Sequence, residues 1–85
     1  MEEKEIGKVI HYFGHVEVGI IEIAEGKLKL GDKIAIRGHT TDFEQKVESM
    51  QVEHQDVLTA GKGDVIGIKV REKVRQHDAV YRIIE

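Results

Sequence analysis

Apolar residues recur at alternate positions along the chain, in runs too short for helices and punctuated by glycine. The run Ile6 to Phe13, with Gly7 and Gly14 near its ends, holds Val9, Ile10, Tyr12 and Phe13 and predicts a first strand. Val16 to Ile23 predicts a second, rich in β-branched residues. Its apolar set moves from even positions (Val16, Val18, Ile20) to odd ones (Ile21, Ile23), which predicts a bulge or kink at Gly19. Ala24 to Lys27 is turn chemistry, and Leu28 and Leu30 then alternate with Lys29. Lys33 to Arg37 reads as a third strand, and Phe43 to Val52 as a longer one. Phe43 and Val47 fall on one face of that long strand and Met50 and Val52 on the other, so a bulge near Glu48-Ser49 is expected. Glu53 to Asp64 reads as a connecting loop, Val65 to Val70 as a fifth clear strand, Arg71 to Asp78 as polar with Val74 as its anchor, and Ala79 to Ile84 as the last strand.

No segment of ten or more residues has a clean helical period. Short strands with glycine-rich turns predict an all-β fold, a small closed antiparallel β-barrel of six or seven strands, since closure removes exposed strand edges. The predicted core is Val9, Ile23, Leu30, Ile34, Val47, Met50, Ile66, Ile68 and Val80. Turns are expected at Gly31-Asp32 and Gly63-Asp64, where glycine supplies positive φ and aspartate can bond nearby backbone N–H groups.

The chain has 85 residues, enough for one domain with a thin core, so residues 1–85 are expected to form a single unit. Cysteine is absent, which removes disulfides and Cys-based zinc scaffolds as sources of stability. Charged residues make up 34% and asparagine is missing, a composition that fits a heat-adapted protein. No stretch approaches the ~20 apolar residues that span a bilayer, and the acidic start has no apolar run, so a soluble cytoplasmic protein is expected. The net charge of -3 argues against bulk electrostatic binding to nucleic acid, and few aromatics leave little for base stacking.

Three stretches together resemble the second domain of the translational GTPases, the elongation and initiation factors. Leu28-Lys29-Leu30-Gly31-Asp32-Lys33-Ile34 looks like that domain's Gly-Asp turn, and Val47-Glu48-Ser49-Met50 like its next strand. Ala60-Gly61-Lys62-Gly63-Asp64-Val65-Ile66-Gly67-Ile68 is similar to its later hairpin. Gly7-Lys8-Val9-Ile10 and Asp78-Ala79-Val80-Tyr81 fall where that barrel begins and ends, so the resemblance covers roughly residues 5 to 84. It implies a translation-factor-type barrel, free-standing, with no nucleotide-binding domain. Three departures stand out: His77-Asp78 replaces the family's closing Gly-Asp pair, prolines are absent, and the GTPase domain is missing. A similar barrel is also appended to some collagenase-like peptidases, so the resemblance implies a fold more firmly than a role.

Catalytic and ligand-binding chemistry is sparse. A phosphate loop needs a glycine five positions before a Gly-Lys-Ser/Thr, whereas Gly61-Lys62 is followed by Gly63 and position 56 is Asp56. The string Asp64-Val65-Ile66-Gly67 is then a hairpin turn entering a strand. His11, His15, His39, His54 and His77 are dispersed, and surface histidines are expected rather than a metal site. Ser49, the only serine, has no nucleophile-elbow context. No cofactor is implied and no enzyme activity is expected.

The most suggestive feature is Lys69-Val70-Arg71-Glu72-Lys73-Val74-Arg75. In an extended chain Lys69, Arg71, Lys73 and Arg75 project from one face while Val70 and Val74 point inward. Such a row either guards a strand edge against pairing or forms a contact surface for RNA or an acidic protein. The resemblance implies a non-catalytic binding module contacting ribosomal or transfer RNA. The alternative is a protein–protein module that partners a separate enzyme such as a peptidase.

Overall fold

A computed structural model of the chain describes residues 2–84. Ten strands run through them with no helix: β1 Glu2–Phe13, β2 Val18–Ile23, β3 Lys27–Lys29, β4 Lys33–Arg37, β5 Asp42–Lys46, β6 Gln51–Val52, β7 Gln55–Asp56, β8 Thr59–Gly61, β9 Val65–Lys69 and β10 Ala79–Ile84. Every pairing is antiparallel. Eight strands form one sheet in the order β5-β4-β10-β1-β2-β9-β6-β7, and β3 pairs with β8 in a separate two-stranded sheet.

The expected closed barrel of six or seven strands is therefore corrected: the large sheet ends at β5 and β7, and no ladder joins them. The long strand expected over Phe43 to Val52 is broken instead of bulged. Residues 47–50 pair with no strand, which lets Phe43, Val47 and Met50 all bury despite their mismatched phase. The expected loop from Glu53 to Asp64 contains β7 and β8.

Gly19 carries no bulge. It pairs in regular register with Tyr12 and Ile68, and the register shifts lie on β1, around Ile6 against β10 and around Ile10 against β2. Gly7, beside the first shift, is obligatory for steric reasons. A Cβ there would collide with the Glu22 carbonyl oxygen of the neighbouring strand.

One cluster of buried side chains joins β1, β2, β4, β5, β9 and β10, so the open sheet wraps a common core. Eight of the nine expected core residues are buried, and Leu30 is not, at 42% exposed. β3 ends one residue earlier and turns Leu28 inward, at 0% exposed. Leu30 sits in the turn that follows, where its N–H donates to the Leu58 carbonyl at 2.9 Å.

Three turns share one wiring. In each, an aspartate accepts a hydrogen bond on its carboxylate from the N–H three residues earlier: Lys29 to Asp32 (2.9 Å), Gly61 to Asp64 (2.8 Å) and Arg75 to Asp78 (2.8 Å). Each aspartate N–H donates back to the carbonyl of that same residue, at 2.9–3.1 Å. The residue before each aspartate has positive φ: Gly31 at 93°, Gly63 at 92° and His77 at 78°. That is the type II turn that glycine favours. Each turn also grips one core residue, exchanging two backbone hydrogen bonds with it. Gly31 and Asp32 hold Val47, Gly63 and Asp64 hold Ile23, and His77 and Asp78 hold Val9, all at 2.8–2.9 Å. Both expected Gly-Asp turns are present. The departure at His77 leaves the turn intact, with histidine in the glycine position.

Candidate functional site

The open side of the sheet is where the basic segment lies. β9 ends at Lys69, Val70 leaves the ladder, and a bend follows at Arg71 and Glu72. Val70 and Val74 are buried, and Lys69, Arg71, Lys73 and Arg75 are all exposed. The alternation holds, but only Lys69 stands on a strand, so the row follows a bent segment and is not one extended face.

Across the gap stands β5, at the edge of the sheet. Gln45 is buried at 5% exposed and bridges the gap with its side chain. Its side-chain Nε2 donates to the Lys69 carbonyl at 2.9 Å, and its Oε1 accepts from the Arg71 N–H at 2.8 Å. A side-chain amide thus satisfies one backbone donor and one acceptor where no ladder forms. A shallow polar groove lies over this seam, bordered by Glu17, Glu48, Ser49, Lys69 and Arg71.

Among the described residues none of the four cations forms an ion pair. Arg75 is tethered through Nε to the Thr40 hydroxyl at 2.7 Å. Elsewhere, among the described residues, Lys33, Arg37 and Arg82 are in ion pairs, whereas Lys4, Lys8, Lys27, Lys29, Lys46 and Lys62 are not. Arg37 makes a two-pronged contact with Glu3, reaches Asp42 at 3.4 Å and Glu44 at 3.8 Å, and stacks its guanidinium over the Tyr81 ring. Its hydrogen bond to Glu3 holds the Glu3 carboxyl below the ordinary carboxylate range and raises the guanidinium.

A second surface lies on the outer face of β2 and β9. Directly opposed residues of an antiparallel pair share a face. Val18 stands opposite Phe13 on one side and Lys69 on the other, and Ile20 opposite His11 and Gly67. Phe13, Val16, Val18, Ile20, Val65 and Gly67 line a shallow groove whose rim includes Glu53 and His54. Phe13, Val16 and Val65 are 43%, 47% and 43% exposed, and the His11 and Phe13 rings meet edge to face at 4.4 Å. Sequence reasoning missed this surface. Its signal is the even-numbered apolar set Val16, Val18 and Ile20, which in sequence alone looks the same as a change of phase.

The five histidines are all exposed, and no three His, Asp or Glu side chains among the described residues gather closely enough to hold a metal. Ser49 is exposed in the segment after β5 and, among the described residues, hydrogen-bonds no histidine. No helix among the described residues is long and apolar enough to cross a membrane.

Comparison with known proteins adds the following. Residues 15–77 match the family model described as Elongation factor Tu domain 2. An uncharacterised protease of Methanocaldococcus jannaschii is 44% identical over 82 residues, 95% of this chain and 20% of the relative. A collagenase of Porphyromonas gingivalis is 47% identical over 78 residues, 91% of this chain and 22% of the relative. The chain spans about a fifth of the length of the curated relatives it matches. Among solved structures, the C-terminal domain of a Geobacillus thermoleovorans protein assigned to the U32 peptidases superposes with a TM-score of 0.87 at 15% identity. That match covers 95% of this chain and 93% of that domain.

Proposed function

The chain belongs to the elongation factor Tu domain 2 family, and on that premise we propose that it is a non-catalytic module that partners the catalytic part of a U32-type peptidase, within one polypeptide or as a separate subunit. The observation that carries this reading is the identity of 44–47% with stretches of proteins named as a protease and as collagenases. The same fold persists at 15% identity, so folding alone requires few of those shared residues. The remainder are available for a common surface.

In this role the module leaves hydrolysis to its partner. Lys69, Arg71, Lys73 and Arg75 offer unpaired positive charge on a protein whose net charge is -3, which favours an acidic patch on the partner and speeds the approach. Bare RNA is the weaker ligand for such a row, because four phosphate contacts give a log–log salt slope of only about -3. Contact with the translation machinery has the family fold behind it, and nothing in the site adds to it.

The test uses the M. jannaschii relative with the stretch matching this chain deleted, nuclease-treated and mixed with the 85-residue chain. A one-to-one complex in gel filtration and calorimetry supports the reading. No complex, together with salt-dependent retention of the chain on ribosomal RNA, replaces it with the translation-linked one.

A further inference from the structure

We infer that the outer groove formed by Phe13, Val16, Val18, Ile20 and Val65 is a docking surface for a protein partner that presents apolar side chains beside a carboxylate. This deepens the reading above, on which that partner is the catalytic part of the peptidase.

The argument begins with β2. A strand with one face in the core and one in water alternates apolar and polar residues, whereas a strand covered on both faces is apolar throughout. β2 is of the second kind in regular register: Gly19, Ile21 and Ile23 are buried inward, and Val18 and Ile20 lie on the outer face with Glu22 as their only charged neighbour in the strand. Among the described residues that face is only partly covered, with Val18 and Ile20 half-buried. Three large apolar residues around it are more than two-fifths exposed, and they line the same groove.

The groove floor is flat because β9 carries Gly67 opposite Ile20. Packing does not demand a glycine there. An added Cβ would meet Ile20 and Val18 at 3.4 and 3.5 Å, ordinary contact, and φ is not positive. A side chain would fill the groove, and its absence keeps the floor open.

The rim gives an independent sign. Glu53 and His54 form the two-residue connection of β6 and β7, both with positive φ, at 51° and 65°. That hairpin turn favours Asn-Gly, and long side chains adopt it at a cost. Both side chains border the groove. Strained residues whose side chains face a concave surface point to a use for those side chains.

Charge fixes the partner's chemistry. Lys69 stands directly opposite Val18 on the same face, where it borders the neighbouring groove over the Gln45 seam, and Arg71 and Lys73 follow it, all without ion pairs among the described residues. A carboxylate beside the partner's apolar side chains meets Lys69 when those side chains enter the groove.

The test uses two variants against the same truncated M. jannaschii relative. The first is Val18→Thr, Ile20→Thr and Val65→Thr together, which keeps β-branched strand formers and removes apolar surface. The second is Glu53→Asn with His54→Gly, which suits the turn and removes the rim side chains. Both are expected to lose at least about tenfold in affinity. The first should melt near the wild type and the second above it. A gain in stability with a loss of binding is an outcome that a purely structural role does not produce. If both variants bind as the wild type does, the groove is not the docking surface, although the peptidase reading stands. If the unaltered chain fails to bind, that reading falls and the proposed occupant with it. Self-association of the wild type in sedimentation, abolished by the threonine variant, would make a second copy the occupant and overturn the proposal.

Discussion

The Gln45 side chain accepts a hydrogen bond from the Arg71 backbone N–H at 2.8 Å, and through its other end it donates to the Lys69 carbonyl at 2.9 Å. One amide therefore satisfies a donor and an acceptor on the far side of the gap between the edge of the large sheet and the segment leaving β9. Gln45→Leu should keep the volume and strand both backbone groups. The expected loss is about 1–3 kcal/mol in urea denaturation, with faster hydrogen exchange at the Arg71 amide. Unchanged exchange at Arg71 would show that the seam is closed by something else.

His77 holds φ at 78° in the position that Gly31 and Gly63 occupy in the other two aspartate turns. A left-handed conformation costs a non-glycine residue about 1–2 kcal/mol, part of which glycine returns through its greater freedom in the unfolded chain. His77→Gly should therefore raise stability by about 0.5–1 kcal/mol in thermal melts, whereas Gly31→Ala should lower it. A lower melting temperature for His77→Gly would contradict this account.

Leu28 and Leu30 are two residues apart and opposite in consequence. Truncating Leu28, at 0% exposed, should cost about 2–5 kcal/mol, and truncating Leu30, at 42% exposed, less than about 1 kcal/mol. Equal losses in urea denaturation would place Leu30 in the core after all.

Glu3 titrates below the ordinary carboxylate range because Arg37 hydrogen-bonds its charged form. A depressed folded-state value means that the pair adds stability above the unfolded carboxylate value and loses it as pH falls through the folded one. Exposure and salt keep the effect small. Carboxyl NMR titration of the wild type and of Arg37→Gln checks it: the Glu3 midpoint should rise toward the ordinary value in the variant.

Replacing Lys69, Arg71, Lys73 and Arg75 together with glutamine should leave the fold intact, since none of the four is in an ion pair among the described residues. One local loss is expected, the Arg75 tether to Thr40. Association with the peptidase partner should slow and lose most of its salt dependence. Identical on-rates across a salt series would reduce the row to an edge guard.

Strands, glycine turns and most of the core follow from alternation and turn chemistry, which act locally. The errors lie where one pattern has two physical origins. The even-to-odd apolar shift in Val16 to Ile23 fits a bulge and equally a strand covered on both faces, and only the register against β1 and β9 separates them. Leu28 and Leu30 share a phase, and the length of β3 decides which one is buried. The cost of free edges predicts a closed barrel, but the large sheet ends at β5 and β7, and one side chain on β5 ties that edge to the end of β9 without a ladder. No periodicity marks Gln45 for that task. The basic row was visible as spacing, whereas its bend at Arg71 and Glu72 was not.

The three aspartate clamps also have an order. The loop from Gly31 to Val47 lies inside that from Ile23 to Gly63, which lies inside that from Val9 to His77. Closing a loop costs entropy that grows with its length, by about 0.6 kcal/mol per doubling, so the innermost clamp is the cheapest to form. Once it holds, the next loop is effectively shorter, and the outermost gains from both. A chain wired in this way closes from its middle outward, and its two ends are the last to meet and the first to part. The least favourable of the three turns, the one built on His77, sits at that outermost closure.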